Sequence, residues 1–293
     1  NKFKLRNMKE VIKISDISFK RLNKIILNNI NFSIYENETV AIIGTNGSGK
    51  TTLIDIILDD IKPSTGKVYI NDSKVKNYST IGIAYDSLPL FPLLKVSEVI
   101  DYFCAILKLN YDAIKHEFFN SFDIDIISNS FIKDLSQGEK KKIGLLLAVM
   151  NNPKILILDE PFSNLDPTII DVIWKVLTKN NRTILFTTHN WKEVEAIASK
   201  VMFLHNGILI TTPKKPKEIL KELPKKKITI SFNNDFLHKI AEYEYYVHDD
   251  LINVLYNEND INVIKTISEH TNNFSIQDVD IKDAYLFKIK KHE

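Results

Sequence analysis

An eight-residue segment in the first quarter of the chain has the G-x-x-x-x-G-K-[ST] spacing of a phosphate-binding loop: Gly44-Thr45-Asn46-Gly47-Ser48-Gly49-Lys50-Thr51. Glycines at these positions allow successive backbone amides to converge on phosphate oxygens at a helix N-terminus. We expect Lys50 to reach the β- and γ-phosphates of a nucleotide and the Thr51 hydroxyl to bind Mg²⁺. The apolar strand pattern before the loop and the helical pattern after it argue against a chance Gly-rich turn.

Two adjacent acids, Asp159 and Glu160, follow the apolar run 155–158. A buried strand here would deliver Asp159 to the magnesium ion through water. Glu160, one residue further on, could act as a general base on the attacking water, which typically contributes roughly 10²–10⁴ in rate. Taken alone, the motif also fits two solvated acids at a strand end, and the phosphate loop favours the catalytic interpretation.

A third motif is a helix start that can face an anion. Ser136 is followed three residues later by Glu139, which is the spacing of a capping box at the start of a helix over 140–150. A capped helix N-terminus carries free amides and partial positive charge. It would therefore form half of an anion site if a phosphate were brought to it.

The elements that must position these motifs alternate between strands and helices. Strand-like alternation over 11–43 ends in the apolar run 39–43, and a helical stretch covers 50–58. The pattern is helical from Leu88 to about Met150, and buried strands alternate with helices from there to Leu204. This order predicts a mainly parallel sheet with helices on both faces.

The composition changes near Pro213. Residues 213–227 contain three prolines and seven lysines, which indicates a linker that carries a helix. Beyond it we predict strands at 228–232 and 253–256 and helices near 235–242 and 261–269. This pattern is typical of a small α+β module.

Composition excludes several classes of protein. The chain has 293 residues with 39 basic and 37 acidic side chains, so its net charge of +2 argues against a nucleic-acid polycation. A single cysteine, Cys104, excludes a disulfide framework, fits a reducing cytoplasm and is expected to be a buried thiol. The longest apolar run, 143–150, is too short to cross a membrane, and no secretory signal is recognised.

Together the motifs resemble the ATPase subunit of ABC transporters over about residues 11–220. Leu135-Ser136-Gln137-Gly138-Glu139 resembles the signature LSGGQ of that family, and Ser163-Asn164-Leu165-Asp166 resembles its D-loop. His189, which follows the strand pattern 184–188, matches the switch histidine. A satisfied histidine at a strand end is the alternative for His189.

The resemblance implies an α/β fold, namely that of a phosphate-loop NTPase. It comprises a mainly parallel core sheet, an antiparallel β subdomain, a helical subdomain and a small α+β C-terminal domain. We expect the ATPase domain at residues 8–220, its helical subdomain at about 88–150 and the accessory domain at 221–293.

The resemblance also implies a head-to-tail dimer that holds two ATP molecules, each between one chain's phosphate loop and the other chain's signature. Glu160 and His189 would be catalytic, and Thr51, Asp86 and Asp159 would hold Mg²⁺. The residues implied in nucleotide contacts are Gly44, Thr45, Asn46, Gly47, Ser48, Gly49, Lys50, Thr51, Thr52, Ser136, Gln137, Gly138 and Asp166.

The sequence departs from the family pattern at three functional positions. Asp86 stands where a glutamine usually ligates magnesium, and it fits either a magnesium-bound water or an ordinary turn. Gln137 and Glu139 replace the usual glycine and glutamine of the signature.

The adenine contact is left open by the sequence. The usual aromatic register falls on Arg21, with Phe19 two residues earlier, and a guanidinium can also stack on a flat ring. A surface loop without stacking is a third alternative.

The function implied is that of an ATP-hydrolysing motor on the cytoplasmic face of a membrane, working as a homodimer or with a paralogous ATPase subunit. A separate transmembrane permease would be its partner, and nucleic acid would not be a partner. The apolar segment 88–94 would lie either in the core or in the groove that receives the permease. The short tail is similar to that of exporters of drugs, bacteriocins and peptides, so export of peptides or drugs is expected. The alternatives are an importer ATPase, a soluble ABC protein acting on nucleic acid or ribosomes, and a regulatory protein with slow turnover.

Overall fold

The computed structural model describes residues 9–71, 80–87 and 90–292. The strands are β1 (Glu10–Arg21), β2 (Lys24–Tyr35), β3 (Thr39–Ile43), β4 (Thr65–Ile70), β5 (Ile81–Ala84), β6 (Ile155–Leu158), β7 (Thr183–Thr188), β8 (Lys200–His205), β9 (Ile208–Leu209), β10 (Lys226–Ser231), β11 (Glu244–His248), β12 (Leu251–Tyr256) and β13 (Phe274–Asp278). The α-helices are α1 (Lys50–Leu58), α2 (Val96–Leu107), α3 (Tyr111–Phe118), α4 (Ile124–Ile127), α5 (Gln137–Val149), α6 (Pro167–Thr178), α7 (Trp191–Ile197), α8 (Pro216–Leu220), α9 (Asn234–Leu237), α10 (Ile261–Ser268) and α11 (Ile281–His292).

The central sheet has six strands in the order β5-β6-β7-β3-β8-β9. All neighbours pair in parallel except β8 and β9. Every residue of β6 and β7 is buried, as expected for parallel strands covered on both faces. The carboxyl ends of β3, β6 and β7 therefore lie at one edge of the sheet, and the phosphate loop, Asp159 and His189 follow these three strands.

A separate antiparallel sheet, in the order β2-β1-β4, covers one side of the central sheet. Ile17, Leu27 and Ile30 of this sheet are fully buried in a cluster that includes Ile54 and Ile57 of α1. This packing fixes the direction of α1 and so the position of the loop that precedes it.

Helices α2 to α5 form the helical part of the ATPase region. Their buried side chains join the main core cluster, and free Cys104 is buried among them, as the sequence indicated. Of the apolar segment 88–94, Leu88 and Pro89 lie outside the described residues. Leu90 is buried in the core, whereas Phe91 and Leu93 are exposed.

The C-terminal unit, residues 226–292, contains a four-stranded antiparallel sheet in the order β11-β12-β10-β13. One face of this sheet packs against α9 and α10 around Ile228, Val254 and Val263. The predicted strands and the helix α10 are present, whereas α9 ends at Leu237 rather than near 242. The division of the chain at 220 and 221 stays a prediction.

The last helix, α11, packs back onto the ATPase region. Ile281, Ala284, Tyr285 and Phe287 are buried in the main core cluster together with residues of β8 and α7. Within the described ranges 9–71, 80–87 and 90–292, no helix is both long and apolar enough to span a membrane.

Candidate nucleotide-binding site

The phosphate loop turns from β3 into α1 through backbone positions that favour glycine. Gly49, the N-cap of α1, has φ 106°. A Cβ at Gly44 would lie 2.3 Å from the Leu204 carbonyl oxygen, so β8 approaches the loop too closely for a side chain there. The close approach of β8 at Gly44 and the left-handed backbone at Gly49 explain why the loop needs glycine at its first and sixth positions.

Lys50 is buried beneath the loop. Its Nζ donates to the carbonyl oxygens of Gly44 at 2.9 Å and Thr45 at 3.3 Å, and it lies 3.4 Å from Oε1 of Glu160. A buried ammonium with these partners is held within reach of an anion bound by the loop. The geometry therefore suits the phosphate contact predicted for Lys50.

Thr51 and Asp159 meet although they are far apart in sequence. The Thr51 hydroxyl donates to Oδ2 of Asp159 at 2.8 Å, and the Thr187 hydroxyl donates to Oδ1 of the same carboxylate. Asp159 is 1% exposed. A hydroxyl and a carboxylate are oxygen ligands of the kind that Mg²⁺ prefers, so this donor set fits the ion.

Glu160 occupies the turn after β6 in a left-handed conformation with φ 47°. Its Oε2 lies 2.7 Å from Nδ1 of His189, and its amide donates to the Thr187 hydroxyl at 3.0 Å. Thr187 thus contacts both acids of the site. Sequence analysis did not identify Thr187, although its place just before His189 on a buried strand was a signal.

His189 is supported from the start of α7. The Glu193 carboxylate accepts from the Thr188 hydroxyl at 2.7 Å and from the Asn190 amide group at 2.9 Å. Burial raises the pKa of Glu193, and the two hydrogen bonds oppose that effect. The residues on either side of His189 are therefore tied to one carboxylate.

Asp86 is hydrogen-bonded to two protein side chains, and its predicted role towards magnesium stays a prediction. Its Oδ1 accepts from Nζ of Lys141 at 2.8 Å and from the Ser163 hydroxyl at 3.0 Å. Burial alone would raise its pKa, but the bonds and charge of Lys141, together with Ser163, hold the pKa below its usual value. The hydrogen bonds of this carboxylate run to α5 and the D-loop rather than to Thr51 or Asp159.

A cleft of about 680 Å³ lies at this site, and Asp159 is not among the described residues that line it. The predicted residues that line it are Asn46, Gly47, Gly49, Lys50, Thr51, Thr52, Asp86, Glu160 and His189. Of the remaining loop residues, Gly44, Thr45 and Ser48, two are buried (Gly44 and Ser48) and Thr45 is exposed.

The adenine contact, for which Phe19 and Arg21 are the candidates, stays a prediction. Phe19 packs against the core beside α1, and Arg21 is exposed at the end of β1. On the side towards the β1–β2 hairpin, the cleft is lined by Lys24 and Ile26 of β2. Neither Phe19 nor Arg21 is among the described residues that line the cleft.

The signature segment lies outside this cleft. Ser136 accepts from the Glu139 amide at 3.2 Å, and the Glu139 carboxylate accepts from the Ser136 amide at 2.8 Å, so the capping box is formed. A Cβ at Gly138 would lie 2.5 Å from the Asn164 carbonyl oxygen, which packs the start of α5 against the D-loop. Ser136, Gln137 and Gly138 are not among the described residues that line the cleft.

Asp166 acts locally as the N-cap of α6. Its Oδ1 accepts from the amide of Thr168 at 2.8 Å and from its hydroxyl at 2.6 Å. These two bonds lower the pKa of Asp166. Within one chain its carboxylate therefore starts a helix.

Comparison with known proteins identifies the family of this fold and site. The family profile described as ABC transporter matches residues 27–163. The uncharacterized ABC transporter ATP-binding protein MJ1023 of Methanocaldococcus jannaschii is 31% identical over 207 residues, which cover 68% of this chain and 76% of that protein. The chain belongs to the ABC transporter ATP-binding family. The predicted resemblance and fold class are confirmed, and the matched region is an ABC-type ATPase domain that binds ATP.

Other relatives differ in length and in the transport named for them. The cholesterol transporter ABCA5 of Rattus norvegicus is 32% identical over 217 residues, which span 69% of this chain but 13% of that protein. Further relatives are named for import of glucose and of Fe(3+) ions. The solved dimeric structure of the ATP-binding cassette MJ0796 bound to ADP and Pi has a TM-score of 0.62 at 26% identity, covering 70% of this chain and 98% of that one.

Proposed function

We propose that the chain is the ATP-hydrolysing motor subunit of an ABC transporter and works on a separate membrane subunit. The observation that carries this proposal is the placement of Glu160 between two site residues. Its carboxylate lies 2.7 Å from Nδ1 of His189 and 3.4 Å from Nζ of Lys50, in the cleft beside the phosphate loop. This geometry suits a base that faces the end of a bound triphosphate.

In this proposal Glu160 accepts the proton of the attacking water. His189 holds the carboxylate from one side, and Lys50 stabilises negative charge on the phosphates. Thr187 fixes the backbone of Glu160 through its amide, so the base keeps its direction. The chain's own residues thereby orient both the water and the phosphate.

Mg²⁺ is the proposed metal cofactor. Thr51 and Asp159 would hold it, the latter through water, and the ion would neutralise phosphate charge when bound. Thr187, which donates to Asp159, helps to hold that carboxylate where it accepts from Thr51. Asp86 would take part through a magnesium-bound water, while its Oδ1 is bonded to Lys141 and Ser163.

The active unit is proposed to be a dimer, of this chain or of this chain and a paralogue. The N-terminus of α5 is capped and offers its amides, yet Ser136 and Gly138 lie outside the cleft of their own chain. Asp166, at the N-terminus of α6, would lie at the same interface. The dimer of the related cassette MJ0796 supports this arrangement.

The proposed location is the cytoplasmic face of a membrane, against a transmembrane permease. Phe91, Leu93 and Tyr102 are exposed, and the Phe91 and Tyr102 rings pack edge to face at 5.4 Å. An exposed apolar patch of this kind suits a permease contact. The small C-terminal unit favours export of peptides or drugs, although relatives named for import keep an importer as the alternative.

ATP hydrolysis by Glu160→Gln tests the proposal. The amide keeps the shape of the side chain but cannot take a proton, so we expect ATP binding to persist and hydrolysis to fall by at least about 100-fold. Glu117→Gln, at an exposed glutamate paired with Lys179, is the matched control and should hydrolyse like wild type. Normal turnover in Glu160→Gln would show that another group is the base.

A further inference from the structure

Tyr285 of the C-terminal helix α11 is fully buried against the ATPase region. Its ring lies 4.8 Å from that of Trp191 at the start of α7 and 5.5 Å, edge to face, from that of Phe203 in β8. Both neighbours belong to elements that end or begin beside the nucleotide site. Through Tyr285, the C-terminal unit therefore contacts α7 and β8, which lie next to that site.

The Tyr285 hydroxyl joins two parts of the site. It accepts from the backbone amide of Thr45 at 3.4 Å, and it lies 3.2 Å from Nδ1 of His205 at the end of β8. A buried tyrosine hydroxyl that is bonded on both sides is held in a single position. The phosphate loop is thus tied to a side chain that lies 240 residues further along the sequence.

The Thr45 amide belongs to the same peptide group as the Gly44 carbonyl. That carbonyl accepts from Nζ of Lys50 at 2.9 Å. One peptide group is therefore held by Tyr285 at its N–H and by Lys50 at its oxygen. Because the peptide group is planar and rigid, loss of the Tyr285 hydroxyl bond at its N–H also affects the orientation of the carbonyl that accepts from Lys50.

The helix α11 also contacts the segment that follows His189. The Ile281 amide donates to Oε1 of Glu195 in α7 at 3.0 Å, and Trp191 packs on Tyr285. One helix, α11, thereby contacts both the phosphate loop and the helix that follows His189. The described contacts to the base Glu160 come from other elements.

We propose that Tyr285 is a positioning residue for ATP: its hydroxyl holds the Gly44–Thr45 peptide in the conformation that binds phosphate. This inference rests on the proposed function, because it assigns a role towards the nucleotide of that same site. A loop that is already ordered loses less conformational freedom on binding, so affinity for ATP should depend on this hydroxyl. The C-terminal unit would then influence nucleotide binding through α11.

The test is Tyr285→Phe in the full chain, which removes the hydroxyl and keeps the buried ring. We expect the Kd for ATP, measured by titration with a fluorescent ATP analogue and competition by ATP, to rise roughly two- to tenfold, the range that corresponds to one net hydrogen bond. The KM for ATP should rise by a similar factor. The kcat at saturating ATP should stay within about twofold, since the hydroxyl bonds to the loop rather than to Glu160.

Tyr246→Phe is the matched control. Tyr246 is also buried, and its hydroxyl donates to Asp283 of the same helix at 2.5 Å without contact to the phosphate loop. This control should bind ATP like wild type even if its thermal unfolding temperature falls. Unchanged ATP affinity in Tyr285→Phe would overturn the inference, as would equal weakening in both variants, which would indicate a general loosening of α11. Wild-type protein that fails to bind ATP would instead overturn the proposed function.

Discussion

Nζ of Lys141 lies 2.8 Å from Oδ1 of Asp86, and this ion pair joins the helix after the signature to the position where ABC ATPases usually carry glutamine. The ammonium also donates to the carbonyl oxygens of Asp86 at 2.8 Å and Glu160 at 3.1 Å. Lys141 is buried, whereas the Asp86 side chain is 55% exposed. A single buried cation thus connects the helical part of the chain with the turn that holds the proposed base.

Asp86→Asn should reduce stability. The change leaves the buried Lys141 ammonium without its carboxylate, which we expect to lower the free energy of unfolding by about 1–2 kcal/mol at pH 7, less than for a fully buried pair because Asp86 is half exposed. Urea denaturation measures this change. Asp123→Asn, which breaks the partly exposed pair of Lys142 on the same helix, should cost under about 1 kcal/mol.

The pH dependence of that difference follows from the lowered pKa of Asp86. A carboxylate whose pKa is lower in the folded chain stabilises the fold above its unfolded pKa of about 3.9, and this contribution is lost as pH falls through the lower folded value. The stability difference between wild type and Asp86→Asn should therefore be constant from pH 7 to about 5 and shrink below about 4. A difference that does not shrink below about pH 4 would show that the ion pair makes no contribution.

Thr187→Val should slow hydrolysis more than it weakens ATP binding. The isosteric change removes the hydroxyl that contacts Asp159 and the Glu160 amide, so the base loses its fixed direction. We expect kcat to fall roughly tenfold or more with a KM for ATP within about threefold. Thr183→Val is the control on the same strand, since its hydroxyl accepts from the Asn37 amide far from the cleft. Equal effects of the two variants on kcat would contradict a specific role for Thr187.

Lys50→Ala should abolish tight ATP binding. The ammonium is buried and bonded to the loop carbonyls of Gly44 and Thr45, so its removal takes away a cation beneath the proposed phosphate position. A rise of at least about tenfold in the Kd for ATP is expected from calorimetric titration. Lys62→Ala, at an exposed lysine that pairs with Asp59, should bind ATP normally. Full affinity in Lys50→Ala would exclude its phosphate role.

Local motifs allowed much of this site to be predicted from the sequence. The phosphate loop, the two acids after β6 and the capping box at Ser136 each combine residue type and short spacing, and each lies on the predicted kind of element. Their convergence followed from the parallel sheet, because β3, β6 and β7 end at one edge. The roles of these residues in binding and catalysis remain predictions.

The lining of the cleft near β2 could not be predicted by counting residues. The pairing of β1 with β2 shifts register on both sides of Phe19, and such bulges change which face a side chain occupies. Phe19 consequently packs into the core, while Lys24 and Ile26 line the cleft. A register count along the chain has no means of detecting these shifts.

Contacts between distant parts of the chain were also beyond the sequence. Asp86 and Lys141 are 55 residues apart, and Thr45 and Tyr285 are 240 residues apart. Their meeting depends on how the helical part and α11 pack against the central sheet. Tertiary packing of this kind leaves no local periodicity or spacing to recognise.

The most direct test of the proposal that two chains share the nucleotide site is the molecular mass of Glu160→Gln in the presence of MgATP. Size-exclusion chromatography with light scattering measures this mass. Because hydrolysis is blocked while ATP stays bound, we predict a particle of about twice the 33.8 kDa chain. Adding Ser136→Arg, which places a bulky cation at the capped end of α5, should return the protein to a monomer. A monomer of Glu160→Gln that holds ATP at full occupancy, or a dimer that survives Ser136→Arg, would contradict a site completed by a second copy of this chain.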